Sequence, residues 1–155
     1  MLRIAFAAAL FAPVFLADPP SSLEPSEARG TVTLSHQEWR VVSCKPEKNA
    51  CADAREKLDG TASVSLQPVA NPDLTKPDPR KSVTLTLTPQ PKSVELRTGV
   101  WELEWPGHGK RARFHVADGA ELPIRLSTTR GKCDRTGKAC ALRAGVARRI
   151  DIPTR

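Results

Sequence analysis

Four cysteines are the residues of this chain best suited to chemistry. Cys44 with Cys51 and Cys133 with Cys140 form two pairs, both spaced C-x6-C. Thiols in pairs either hold a metal or close disulfides. Zinc knuckles space their cysteines two to four apart, and His36, His108 and His115 show no ligand spacing with these four, so no metal site and no cofactor is expected. An even cysteine count behind an export signal points to disulfides. Three connectivities are open to four cysteines. The local pairing, Cys44–Cys51 and Cys133–Cys140, is the simplest, each bridge closing a loop of eight residues worth about 2.5 kcal/mol in loop-closure entropy.

Catalytic patterns are missing. The chain contains no G-x-S-x-G, no H-E-x-x-H and no EF-hand. Gly107-His108-Gly109-Lys110 has the look of a phosphate loop but lacks the following Ser or Thr, and it reads as a hairpin turn. Histidine is a common acid–base group near neutral pH, yet no nucleophile or acid stands at a useful spacing from His36 or His115, which read as solvated strand residues. The chain is expected to be a non-enzyme.

Charge is more informative. The formal net charge is +7. Residues 18–105 hold 11 basic and 13 acidic side chains, whereas residues 106–155 hold 12 basic and 4 acidic. The excess lies on Arg125, Arg130, Lys132, Arg135, Lys138, Arg143, Arg148 and Arg149. Such a patch attracts an anionic partner with an affinity that falls as salt rises. Nucleic acid fits poorly, because the basic segment offers no aromatic stacking platform apart from Phe114, which belongs to the core pattern. An acidic envelope polymer or an acidic protein surface fits better. The alternative is a protease inhibitor: a rigid loop bearing a basic residue can enter a protease cleft as a pre-organised substrate mimic. Arg135 and Lys138 in CDRTGKAC, or Lys45 and Lys48 in CKPEKNAC, would be its anchors.

The elements that must position these residues follow from the rest of the 155-residue chain. Residues 1–17, MLRIAFAAALFAPVFLA, carry one positive charge and then a short apolar run interrupted by Pro13, which is the anatomy of a secretory signal peptide. A secreted or periplasmic location follows, with no transmembrane segment after processing. Residues 18–29 are rich in Pro, Ser and Glu and form a flexible tether. Fourteen prolines and no tyrosine argue against a helical bundle.

From residue 30 to 155 the dominant period is two. Val32 and Leu34; Ala62, Val64 and Leu66; Val83, Leu85 and Leu87; Trp101, Leu103 and Trp105; Ala112, Phe114 and Val116; and Leu122, Ile124 and Leu126 each alternate with polar residues. Alternation between turn signals is the mark of antiparallel strands with one wet face. Seven or eight such strands make one all-β sandwich domain. Its core should include Val64, Leu66, Leu85, Leu87, Trp101, Leu103, Phe114, Val116, Ile124 and Leu126. In the hairpin WELEW-PGHG-KRARF, a four-residue turn sets Glu104 opposite Arg111, Glu102 opposite Arg113 and Trp101 opposite Phe114, so that both faces match.

Residues 50–60 read as a short helix, with Asn49 as N-cap, Asp53 four residues before Lys57, and Gly60 past the end. Residues 68–81 hold four prolines without periodicity and form a long surface connection. Outward from Cys133 and Cys140 the C-terminal hairpin sets Ile124 opposite Arg149, a mismatch that a bulge at Gly131 or Gly145 would mend. CKPEKNACA and CDRTGKACA share their cysteines and a closing Ala-Cys-Ala, as two equivalent disulfide-closed loops would.

Val94-Glu95-Leu96, Gly99-Val100-Trp101-Glu102-Leu103, the run from Phe114 to Gly119, and Leu122-Pro123-Ile124-Arg125-Leu126 together carry a resemblance. Residues 94–126 resemble the carboxypeptidase-regulatory-like (transthyretin-like) and PEGA-type extracytoplasmic sandwich modules. The resemblance implies a mostly non-catalytic surface or periplasmic accessory module and supplies no site residues.

Overall fold

The computed structural model describes residues 27–153. The expected signal peptide, and the expected tether up to residue 26, lie outside the described residues. Nine strands follow one another: β1 (Arg29–Pro46), β2 (Cys51–Leu58), β3 (Ala62–Pro68), β4 (Val83–Leu87), β5 (Lys92–Arg97), β6 (Gly99–Trp105), β7 (Lys110–Val116), β8 (Glu121–Thr136) and β9 (Ala139–Asp151). No helix occurs among the described residues.

The strands form two sheets. One has the order β4-β3-β6-β7 and is antiparallel throughout. The other has the order β2-β1-β8-β9. There, β5 pairs with the first half of β1, from Arg29 to Leu34, and β2 pairs with its second half, from Glu38 to Pro46. One pair departs from the expected antiparallel scheme: β1 and β8 run parallel, from Thr31 with Glu121 to Arg40 with Arg130. Parallel neighbours need a long crossover, and all of the β4-β3-β6-β7 sheet lies between these two strands in sequence.

Val32, Leu34, Leu96, Ile124 and Leu126 from one sheet meet Val64, Leu66, Leu87, Trp101, Leu103, Phe114 and Val116 from the other in a single buried core. Every expected core residue is buried. Each large apolar side chain so buried contributes roughly 1.5–3 kcal/mol. The β6–β7 hairpin has the expected register, Trp105 with Lys110 through Trp101 with Phe114. Its wet face carries the ion pairs Glu104–Arg111 and Glu102–Arg113, each at 2.9 Å.

The long connection 69–82 is pinned by Arg80, whose side chain is nearly buried. Its guanidinium donates to the carbonyl oxygens of Val69 (2.7 Å) and Val100 (3.0 Å), pairs with Asp78, and lies over the Trp101 ring at 5.8 Å. Gly99, at φ +126°, leaves room that a Cβ would take from that guanidinium. Hydrogen bonding to Arg80 holds the Asp78 carboxyl below the usual carboxylate range.

Two expectations are corrected. Residues 51–58 are strand β2 and not a helix. The helix propensities of ACADAREKL differ by tenths of a kcal/mol per residue, less than a full ladder of bonds to β1 together with a disulfide at Cys51. Of the two charges taken for helical i,i+4 partners, Asp53 pairs with Arg55 of its own strand at 2.7 Å, and Lys57 lies over Trp39 of β1 at 5.5 Å.

The disulfides are not local. Cys44 is bonded to Cys133 and Cys51 to Cys140, each across a separation of 89 residues. Within each hairpin the two cysteines share a face but are not opposite one another, since Cys44 faces Asp53 and Cys51 faces Pro46. In a flat sheet β2 and β9 would lie three strand spacings apart, about 14 Å, yet the Cα atoms of Cys51 and Cys140 are 5.8 Å apart. The sheet therefore splits beyond Arg40 and Arg130, and the β1–β2 and β8–β9 hairpins turn face to face as a cross-linked arm. Register shifts at Val41/Ser43 and at Arg130/Lys132 mark the split. At the second, Ala144 and Gly145 supply the additional residue on β9, opposite Gly131 at φ +83°. Both glycines left open by the sequence thus take part in one bulge.

Candidate functional site

The inward-facing row of β1 reads Val32, Leu34, His36, Glu38, and that of β8 reads Ile124, Leu126, Thr128, Arg130. Each row keeps its period of two while passing from apolar to polar. The core consequently ends in a polar floor just where the sheet begins to split. His36 is 1% exposed, Thr128 6% and Glu38 8%. His36 is therefore a buried residue and not a solvated one, whereas His115 is exposed as expected.

Each floor group has a partner. His36 Nδ1 lies 3.3 Å from the Gly60 carbonyl oxygen, which can only accept, so in the neutral ring Nδ1 carries the proton. Nε2, 3.0 Å from Thr128 Oγ1, then accepts from that hydroxyl. The indole of Trp105 meets the His36 ring edge-on at 5.5 Å and the His108 ring at 5.7 Å. Arg130 donates through Nε to the Glu38 carboxylate. Gly60 is buried against Glu38, and a Cβ there would run into the carboxylate. Above this floor opens a cavity of about 240 Å³, walled by Thr61 and Ser63 at the start of β3, by the turn residues Pro106 and His108, and by Arg148 of β9.

The eight basic residues expected to form one patch divide into four groups. Arg125 and Arg149 lie on the outer sheet face around Asp151: Arg125 stands opposite it, and Arg149 Nε is 2.5 Å from its Oδ1. Arg130 and Arg148 line the cavity. Lys132 and Arg143 are directly opposite each other on the flank of the arm, with Asp134 3.0 Å from Lys132 Nζ. Arg135 and Lys138 are at the arm tip, where Arg135 donates to the carbonyl oxygens of Gly137 (3.2 Å) and Lys48 (3.5 Å). The expected single patch is corrected in this respect, because alternation along β8 and β9 sends successive basic residues to opposite faces. Among the described residues, no carboxylate pairs with Lys138, Arg143 or Arg148.

Glu38, Thr128, Trp105 and His108 were not singled out from the sequence as site residues. The signal that could have found Glu38 and Thr128 is the unbroken period of two, which carries the inward rows past Leu34 and Leu126 into polar residues; His108 lies in the turn after Trp105, where no period reaches. Among the described residues no group of His, Cys, Asp and Glu is placed to hold a metal ion. Comparison with protein-family models, with curated proteins and with solved structures yields no match.

Proposed function

We propose that this chain is an extracytoplasmic, non-catalytic binding module whose β8–β9 hairpin engages an anionic envelope polymer or an acidic protein surface. The observation that supports this most is that Arg143, directly opposite Lys132 on the flank of the arm, and Lys138 at its tip have no carboxylate partner among the described residues. Like charges opposite one another destabilise a strand pair; Asp134 engages Lys132, which leaves Arg143 as the charge that an external anion would engage. Two disulfides suit an oxidising compartment, and a secreted or periplasmic location agrees with the leader-like residues 1–17. The inhibitor reading draws less support. Lys138 sits in a two-residue turn, Gly137–Lys138, whose backbone is not extended as a protease substrate must be.

The test is binding of the oxidised chain to a polyuronate and to polyglutamate across a salt titration. Affinity should fall steeply with salt. It should be lost in Lys138→Ser/Arg143→Ser and retained in Arg149→Ser, whose native charge is already balanced by Asp151. Absence of binding to both polymers at low salt overturns the reading.

A further inference from the structure

We propose that the cavity above His36 and Glu38 receives one compact anionic group, a carboxylate or a phosphate, against Arg148. This rests on the reading above for the nature of the larger ligand, of which that group would be an end or a side branch. Binding of the small group itself stands apart from that reading.

The size of the cavity sets the first limit. Its volume of about 240 Å³ lies below the roughly 300–1,000 Å³ of ordinary small-molecule pockets. It suits a single charged unit better than a whole metabolite.

The second limit is electrostatic. The cavity holds two guanidiniums, Arg130 and Arg148, and one carboxylate, Glu38. The carboxylate is engaged by Arg130, which leaves the charge of Arg148 uncompensated among the described residues. A cationic guest would face both arginines. His36 offers it no lone pair either, because both ring nitrogens are engaged, Nδ1 with the Gly60 carbonyl oxygen and Nε2 with the Thr128 hydroxyl.

The third observation is the floor. Burying His36, Glu38 and Thr128 costs free energy that Val or Leu in the same inward row would not cost. The cost is met by closing every hydrogen bond within the floor, and no buried side-chain polar atom is left without a partner among the described residues. A floor satisfied in this way stays rigid, and it leaves Arg148 available to a guest rather than to the floor itself.

The experiment uses the oxidised full chain labelled with ¹⁵N, titrated with inorganic phosphate and separately with acetate at constant ionic strength. The proposal expects a saturable shift of the Trp105 indole and the Thr128 amide with at least one anion. Which anion binds tells phosphate from carboxylate. Arg148→Gln should weaken that binding about tenfold, the equivalent of 1.4 kcal/mol, and Arg149→Gln should not change it. Absence of a saturable shift with either anion overturns the proposal, as does an unchanged affinity in Arg148→Gln. Anion binding in the cavity without polymer binding upholds this inference and overturns the polymer reading. Polymer binding that depends on Arg143 with a silent cavity does the reverse.

Discussion

Breaking the disulfides in different combinations tests the cross-linked arm most directly. Cys44–Cys133 alone, spanning a separation of 89 residues, removes about 4.6 kcal/mol of loop entropy from the unfolded chain. Once it is in place, Cys51–Cys140 closes only the small ring formed by residues 44–51 and 133–140, which contributes about 3 kcal/mol. Cys44→Ala/Cys133→Ala should therefore cost about 3 kcal/mol in urea unfolding, because the other bridge still holds the hairpins together. Cys44→Ala/Cys51→Ala destroys both native bridges and should cost about 7–8 kcal/mol. Local pairing would reverse this order, with only one bridge, about 2.5 kcal/mol, lost in the second variant. Tryptic peptides give an independent reading, since trypsin cuts after Lys48, Arg135 and Lys138, between the members of each cysteine pair. The oxidised chain should yield VVSCKPEK joined to CDR, and NACADAR joined to ACALR. Recovery of VVSCKPEK joined to NACADAR would refute the arm and the split of the sheet.

Other perturbations probe the core, the floor and the loop latch. Trp101→Ala should cost about 3–5 kcal/mol in denaturant unfolding, because the side chain is fully buried under Arg80; a cost under 1 kcal/mol would mean that the two sheets do not meet there. Gly60→Ala should displace the Glu38 carboxylate and cost about 1–3 kcal/mol. Adding Glu38→Ala should give a double variant less destabilised than the sum of the two, and strict additivity would show that the two residues do not touch. Asp78→Asn should destabilise the chain at neutral pH. The carboxyl of Asp78 is lowered, so its contribution is complete above the ordinary carboxylate range and disappears as pH falls through the lowered value. Urea midpoints of the two proteins should converge in acid, and a difference that persists at the lowest pH would assign the effect to shape and not to charge.

The β6–β7 hairpin shows what is legible locally. Turn residues Pro106–Gly109 and matching faces on both sides set one register, and that register is present residue for residue. The same reasoning stopped short on β1, where the apolar run ends at Leu34 while the strand continues to Pro46. Polar residues in an inward row look identical to polar residues at a strand end until another sheet covers them. Residues 51–58 failed for a related reason, since weak helical preference is legible in a short segment and a neighbouring strand is not.

Alternation, turn chemistry and cysteine count are properties of neighbours along the chain. By themselves they determined an all-β domain of two sheets, the membership of its core, the β6–β7 register and the presence of two disulfides. Tertiary structure decided the parallel pairing of β1 with β8, the partners of the four cysteines, the division of eight basic residues among separate faces, and the burial of His36 and Glu38. Each of these depends on which surfaces meet across separations such as the 89 residues between bonded cysteines. That choice is made by the packing of the whole chain, to which no local window has access.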